Sequence, residues 1–320
     1  MQRLHAGARA NDDRGMRTER GGVTMKTGVI GLGAMGAPMA RNLHKACYLE
    51  TVWNRTADKS LQFGAETGVA VAADPAELAS RCELVVLSVQ ADADVLEMVQ
   101  ALLPGLHTGT VVLDTSPVSR ETAVRAAGLL QTAGAVFLDG PVSGGIEGAR
   151  QGALAMMIGG DAAVIERISP VLNAIAGRVE HMGPVGAGQA TKAVNQVMAA
   201  GINQAVTEAL AFAQAMDLPL DKVIEVTGSG AAGNWFLDHR GRTMTQGMFA
   251  PGFRVALHHK DLAICKQMAE KFDVALPVVE MTLIHYRRLM EAGYGDEDIS
   301  SLFREKRGMF VKSGSPPKRS

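Results

Sequence analysis

Cysteine is scarce in this chain of 320 residues: Cys47, Cys82 and Cys265 are the only three. An odd count with no C-x-x-C spacing excludes a disulfide framework. It reads as free thiols in a reducing cytoplasm, carried as small buried hydrophobes. Charge of either sign is nearly balanced, with a formal net of −1. That balance gives no electrostatic case for nucleic acid or an anionic membrane. No apolar run approaches the roughly 18 residues that a membrane span needs. The adjacent His258 and His259 have no third ligand at metal spacing, so no metal is expected.

What remains describes a globular protein: 47% of the residues are hydrophobic, and the length suffices for two domains. Residues 1–24 hold Arg3, Arg9, Arg14, Arg17 and Arg20 and almost nothing apolar, so they read as a disordered leader without a signal-peptide core. The fold is expected to begin at Met25, itself a candidate initiator. Residues 312–320 read as a disordered tail.

From Met25 short apolar runs alternate with helical stretches. Thr27–Gly31, Glu50–Trp53, Val69–Ala72, Leu84–Val89, Val111–Asp114 and Val136–Asp139 read as strands, with Leu154–Ile158 and Arg178–His181 as further ones. Strand and helix in alternation predict an α/β Rossmann-type, doubly wound parallel sheet over residues 25–188. The character then changes. Gln189–Met216 has no proline and one glycine, Gly201, and reads as one long helix with apolar residues on more than one face, lying between two domains and contributing to an oligomer interface. Helical spacing continues through Leu220–Thr227, Trp235–Thr245, Val255–Phe272 and Pro277–Glu291. An all-α domain over residues 189–311 is the expectation.

Gly31-Leu32-Gly33-Ala34-Met35-Gly36 follows the first strand and opens a helix. In this context G-x-G-x-x-G is a dinucleotide motif: a tight turn, a close backbone approach to pyrophosphate, and close helix packing. The acidic residue that normally holds an NAD ribose after the second strand is replaced by Asn54, followed by Arg55 and Thr56. A cation with two hydrogen-bonding neighbours favours NADP(H), with NAD(H) possible; the plain alternative for Arg55 is a solvated loop cation.

Three further clusters stand out. Asp139-Gly140-Pro141-Val142-Ser143-Gly144-Gly145 ends a strand with a hydroxyl and successive N–H groups, which suit a carboxylate; the alternative is a flexible loop. Lys192 lies amid Ala, Val and Met with Asn195 and Gln196 one turn on, on the same helix face. A lysine there is poorly explained as core. Phe253 and His258-His259-Lys260-Asp261 form the third. Asn234-Trp235-Phe236 reads as core rather than as a substrate wall.

The segments Gly31–Leu43, Asp139–Gly145, Gly186–Lys192 and Lys260–Leu262, in this order and over nearly all of residues 25–310, resemble the four signatures of the β-hydroxyacid dehydrogenases. That family includes 3-hydroxyisobutyrate dehydrogenase, tartronate semialdehyde reductase and the glyoxylate/succinic semialdehyde reductases. The resemblance implies that Lys192 is catalytic and that Ser143, Gly144 and Gly145 hold a substrate carboxylate. It implies that Asn195 and Gln196 orient the substrate, that Phe253 and Asp261 line its site, and that Lys260 lies near the nicotinamide. Gly31, Leu32, Gly33, Met35, Gly36, Asn54, Arg55, Thr56, Ser88 and Val89 are the implied cofactor residues. Gln196, where many members carry Asn, resembles the tartronate semialdehyde reductase subgroup. Asp114–Arg120 departs from the family's D-x-S-T-V-x-P, with Pro117 and Arg120 out of pattern, so it carries little weight.

The implied protein is a cytoplasmic homodimer or homotetramer acting on a small carboxylate-bearing aldehyde or hydroxyacid. Two rivals are imine reduction on a related scaffold and a non-catalytic cofactor-binding module. Relatives of both kinds usually lack the lysine, and Lys192 is present.

Overall fold

A computed structural model describes residues 25–310; the expected leader and the expected tail lie outside them. Nine strands are present among the described residues: β1 (Thr27–Ile30), β2 (Leu49–Trp53), β3 (Ala70–Val71), β4 (Leu84–Leu87), β5 (Val111–Asp114), β6 (Val136–Asp139), β7 (Val142–Ser143), β8 (Leu154–Gly159) and β9 (Ala176–Gly183). The helices between them are α1 (Gly36–Lys45), α2 (Ala57–Thr67), α3 (Pro75–Ser80), α4 (Asp92–Leu102), α5 (Arg120–Gln131), α6 (Gly145–Gln151) and α7 (Ala162–Leu172). From Ala187 on, the described elements are all helical: α8 (Ala187–Ala215), α9 (Leu220–Gly228), α10 (Trp235–Thr245), α11 (Val255–Glu270), α12 (Pro277–Glu291) and α13 (Leu302–Gly308), with a short 3₁₀ turn at Ile299–Ser301.

The strands form one sheet in the order β3-β2-β1-β4-β5-β6-β8-β7, with β9 also paired to β8. The first six are parallel. Strands β1, β4 and β5 are buried along their whole length, because helices cover both faces and a continuous apolar run is the pattern such strands need. On one face Met39, Leu43, Phe63, Ile168 and Leu172 from α1, α2 and α7 pack on Val29 and Val52. On the other, Leu78, Val95, Val99, Ala126 and Leu130 from α3, α4 and α5 pack on Leu87 and Val112. The chain leaves β1 for β2 on one side and later returns to β4 on the other. The crevice at the carboxyl end of β1 is therefore the switch point at which ligands bind in such sheets.

Helix α8 joins this sheet to a second core built from Leu210, Leu237, Leu262, Tyr286 and Phe303. Its 29 residues span about 44 Å at 1.5 Å per residue. The first turns touch β6, β8 and β9, and the rest touches α10 to α13. The Asp139 carboxylate accepts hydrogen bonds from Gly186 N at 2.7 Å and Gln189 N at 2.8 Å, an anion set against the positive end of the helix. Gly188 has no room for a side chain: a Cβ there would lie 2.3 Å from Met157 O and 2.6 Å from Asp139 O.

Several expectations are corrected. Within one chain helix α8 is covered on part of its surface only. Its polar residues Gln196, Asn203, Gln204 and Thr207 point inward, while Val194, Met198, Ile202 and Phe212 are exposed. The second core takes up α8 through hydrogen bonds: Asn203 Nδ2 donates to Tyr286 Oη (2.8 Å) and Ile299 O (2.9 Å), and Gln204 Nε2 to Thr282 Oγ1 (3.1 Å). Trp235 is largely exposed and stacks on His239, although Phe236 beside it is core. Cys82 and Cys265 are buried as expected, but Cys47 is exposed, in a turn where its φ is +62°. No helix of the described residues is long and apolar enough to cross a membrane.

Candidate active site

The glycine loop is built as its chemistry requires. Gly31 has φ +95°, and a side chain on Gly36 would meet Gly31 O at 1.8 Å, so neither position tolerates a Cβ. Gly33 faces open space. Helix α1 has no side-chain cap and no acidic residue in its first turn, so no side chain of its own competes with an anion there. Met35 sits at the helix cap position and Leu32 is buried beneath the turn. These residues fit a dinucleotide pyrophosphate.

Asn54 ties the end of β2 to the loop: its Oδ1 accepts Leu32 N at 2.8 Å, and its Nδ2 donates to Thr56 O at 2.9 Å. Arg55 points away from β2 toward α4, where its Nη2 donates to Asp94 Oδ1 (2.7 Å) and Glu97 Oε2 (2.9 Å). Ser88 and Val89 follow β4; Ser88 N donates to Ile30 O at 2.9 Å, and Ser88 O lies against Gly31.

The opposite wall comes from α8 and α11. Lys192 is partly buried, and its Nζ donates to Val142 O at 2.9 Å, the residue just before Ser143-Gly144-Gly145. Lys192 and Val142, 50 residues apart in sequence, therefore meet, with Ser143-Gly144-Gly145 directly beside them. Ser143 lies in the two-residue strand β7 that pairs with β8, and Gly144, with φ +128°, precedes α6. Burial pushes the Lys192 ammonium below the ordinary lysine range; Asp261 opposes this and Lys260 adds to it. From Asn195 a relay runs to Gln196 Oε1 (2.8 Å), and from Gln196 Nε2 to Asp261 Oδ2 (2.6 Å). Asp261 Oδ1 lies 3.1 Å from Lys260 Nζ. Lys260 also spans the cleft to Gln90 O (2.9 Å) and Pro117 O (2.8 Å). Phe253 tilts against His258 at 5.1 Å between ring centres. Its backbone N and that of Gly252 are both held by Asp298 at 3.0 Å, and Gly252 O lies near Gly145.

The loop after β5, to which the sequence pattern gives little weight, forms part of this site. Ser116 Oγ accepts Val89 N at 2.9 Å. Gln189 bridges to the loop, its Nε2 donating to Ser116 O (2.8 Å) and its Oε1 accepting Val118 N (3.1 Å). Pro117 and Val118 then line a narrow crevice together with Lys192, Gln196, Asp261 and Cys265. The signal for Gln189 is present in Gly186–Lys192; its partners, more than 70 residues away, carry none. Beneath the loop Asp114 is fully buried, with burial raising its carboxyl to about 7 and Oδ2 lacking a partner. Behind Lys192, His258 is buried against Gln196 O and Tyr286 Oη, and burial lowers it to about 3.

A nucleotide-binding sheet closed by a lysine-bearing helix defines a class, and comparison with known proteins agrees with it. Residues 26–183 match the NAD binding domain of 6-phosphogluconate dehydrogenase. Residues 186–305 match the NAD-binding domain of NADP-dependent 3-hydroxyisobutyrate dehydrogenase. An oxidoreductase of Shewanella frigidimarina is 38% identical, over 87% of this chain and 96% of that one. The 2-hydroxy-3-oxopropionate reductase of Escherichia coli is 35% identical, over 79% of this chain and 87% of that one. Mycobacterium tuberculosis 3-hydroxyisobutyrate dehydrogenase, solved with L-serine, superposes with a TM-score of 0.81 at 28% identity, covering 89% of this chain and 99% of that one. The chain belongs to the β-hydroxyacid dehydrogenase family of NAD(P)-dependent oxidoreductases.

Proposed function

We propose that this protein interconverts a small hydroxyacid and its aldehyde acid with NADP(H), NAD(H) serving as the weaker alternative, and that Lys192 is the proton donor and acceptor. The observation that carries the reading is the placement of Lys192 Nζ at 2.9 Å from Val142 O, beside Ser143-Gly144-Gly145. The nicotinamide, when bound, supplies or takes up the hydride.

The residues do the rest. The Ser143 hydroxyl and the N–H groups of Gly144 and Gly145 hold the substrate carboxylate. The Lys192 ammonium has three donors; one rests on Val142 O, and another reaches the substrate oxygen. In reduction it hydrogen-bonds the carbonyl oxygen and gives up its proton as negative charge develops there. Its lowered pKa makes that proton easier to release and, in oxidation, makes the neutral amine available at lower pH. Gln196, fixed at both ends by Asn195 and Asp261, keeps the relay beside the lysine in register. Lys260 holds the β4 and β5 loops against α11 and so keeps the cofactor wall and the lysine wall at a fixed spacing.

We further propose that the outward Val194, Met198, Ile202 and Phe212 pack against a second copy of the chain. An isolated protein rarely exposes such a stripe, and closed symmetry is the default arrangement for like chains.

The function is tested by presenting glyoxylate, succinic semialdehyde, tartronate semialdehyde and methylmalonate semialdehyde to the purified protein with NADPH and with NADH. Turnover of at least one acid, and none of the matching aldehyde without its carboxylate, is expected. Equal turnover of the aldehydes that lack the carboxylate, or none of any acid, overturns the reading.

A further inference from the structure

We infer that Asp94 and Glu97 are specificity residues: they hold the Arg55 guanidinium as a counter-ion pair and so narrow the advantage of NADPH over NADH. The inference rests on the cofactor reading above. Arg55 follows β2 and the two carboxylates lie in α4, after β4; these strands flank β1, so the three side chains meet across the carboxyl end of β1, beside the glycine loop. One nitrogen, Nη2, donates to both acids, at 2.7 Å and 2.9 Å. The trio carries a formal charge of −1.

Asp94 is fixed in place, because its second oxygen accepts Ala91 N at 3.1 Å at the start of α4. Glu97 has no other polar partner among the described residues and is about as exposed as Arg55, both side chains at 60%. A ribose phosphate arriving beyond β2 is an anion, and it meets a cation already shared by two anions. Two carboxylates held against one guanidinium offset its attraction for that phosphate. To profit from Arg55, the phosphate must draw it off the acids. NADH, with hydroxyls in place of the phosphate, enters no such competition.

The test is fluorescence titration of the whole protein with NADPH and with NADH at low ionic strength, where exposed charges are least screened. Glu97 is on the surface, so its replacement leaves the fold intact. Glu97→Gln is expected to tighten NADPH about threefold to fivefold, the range of an exposed ion pair, and to leave NADH unchanged. Glu97→Lys goes further in the same direction, and both gains shrink in high salt. Weaker NADPH binding by Glu97→Gln means that the acids instead hold Arg55 ready for the phosphate, and overturns the inference. So does an equal change for both cofactors. These are binding measurements, so they decide the inference even if every aldehyde acid fails as a substrate. Binding of neither dinucleotide removes the cofactor reading and the inference together.

Discussion

Both halves of the chain bury an apolar core, but they place their buried polar side chains differently. In the sheet, β1, β4 and β5 bury apolar side chains without interruption, and the fully buried carboxylates, Asp114 and Asp139, stand at the carboxyl ends of β5 and β6. In the helical half, Gln196, Asn203, Gln204, Thr207, His258 and Thr282 are buried, while Val194, Met198, Ile202 and Phe212 face out. A sheet satisfies its backbone from strand to strand and leaves its side chains free to be apolar. Helices are satisfied internally, so beside their apolar core polar side chains can set how one helix lies on the next, and some apolar ones remain on the outer face of α8. In the proposed function the difference separates the work as well: the sheet holds the cofactor and the helices bring the proton.

The largest effect tests that separation. Lys192→Ala should cut turnover by at least about a hundredfold, a barrier change of at least roughly 2.7 kcal/mol, and leave NADPH affinity within about twofold. Comparable losses in both would place the lysine in the cofactor site and blur the two roles. In the wild type the turnover profile should follow the lysine: reduction fails as pH rises through its pKa and oxidation gains there, both below the ordinary value of 10.5. Next in size is assembly. Met198→Glu with Phe212→Ser should turn a dimer or larger species into single chains in sedimentation; a wild type that sediments as a single chain at micromolar concentration ends the proposal for the stripe.

A third effect separates the halves by proton. His258, lowered to about 3 in the fold, refuses a proton that the unfolded chain accepts from about 6.5 downward. Its contribution is present at neutral pH and is lost as pH falls toward 3. Asp114, raised to about 7, keeps a proton that the unfolded chain releases above about 3.9, so its contribution is lost as pH rises toward 7. Between about 4 and 6.5 the two slopes oppose, each near 1.4 kcal/mol per pH unit for one proton. Asp114→Asn should therefore steepen the fall of stability from pH 6.5 to 4.5 in urea unfolding, and an unchanged slope would mean that Asp114 folds ionised. The smallest effect is on the cofactor. Arg55→Ala should weaken NADPH by less than about tenfold and spare NADH, with a larger loss when Glu97 is already Gln.

The sequence discloses what short-range geometry demands. Gly31 and Gly36 are legible because their backbone positions exclude a side chain, and α8 because nothing in it interrupts a helix. Lys192 stands out as a lysine without a core explanation. What stays hidden depends on distance. Asp94 and Glu97 are 39 and 42 residues from Arg55, so the counter-ions of a plainly legible cation are invisible. Pro117 and Val118 enter the crevice through Gln189, 71 and 73 residues after the groups it binds. The inward face of α8 runs against expectation because periodicity reports that a helix has two faces, not which one a neighbour with its own hydrogen-bonding groups will select. Strand β7 is two residues long, too short for any pattern.

The join between Asp139 and the start of α8 has a consequence for folding. Gly188 sits on the backbone of Met157 and Asp139 with no space between, and the same rod continues into the other core. Melting of the sheet would strip α8 of its first turns, and melting of the helices would strip it of its last. A long helix alone in water is a poor survivor. Neither half can be lost without exposing the element that the other depends on, so calorimetry should record a single heat-absorption peak rather than two, and a chain cut before Ala187 should leave fragments that do not fold apart.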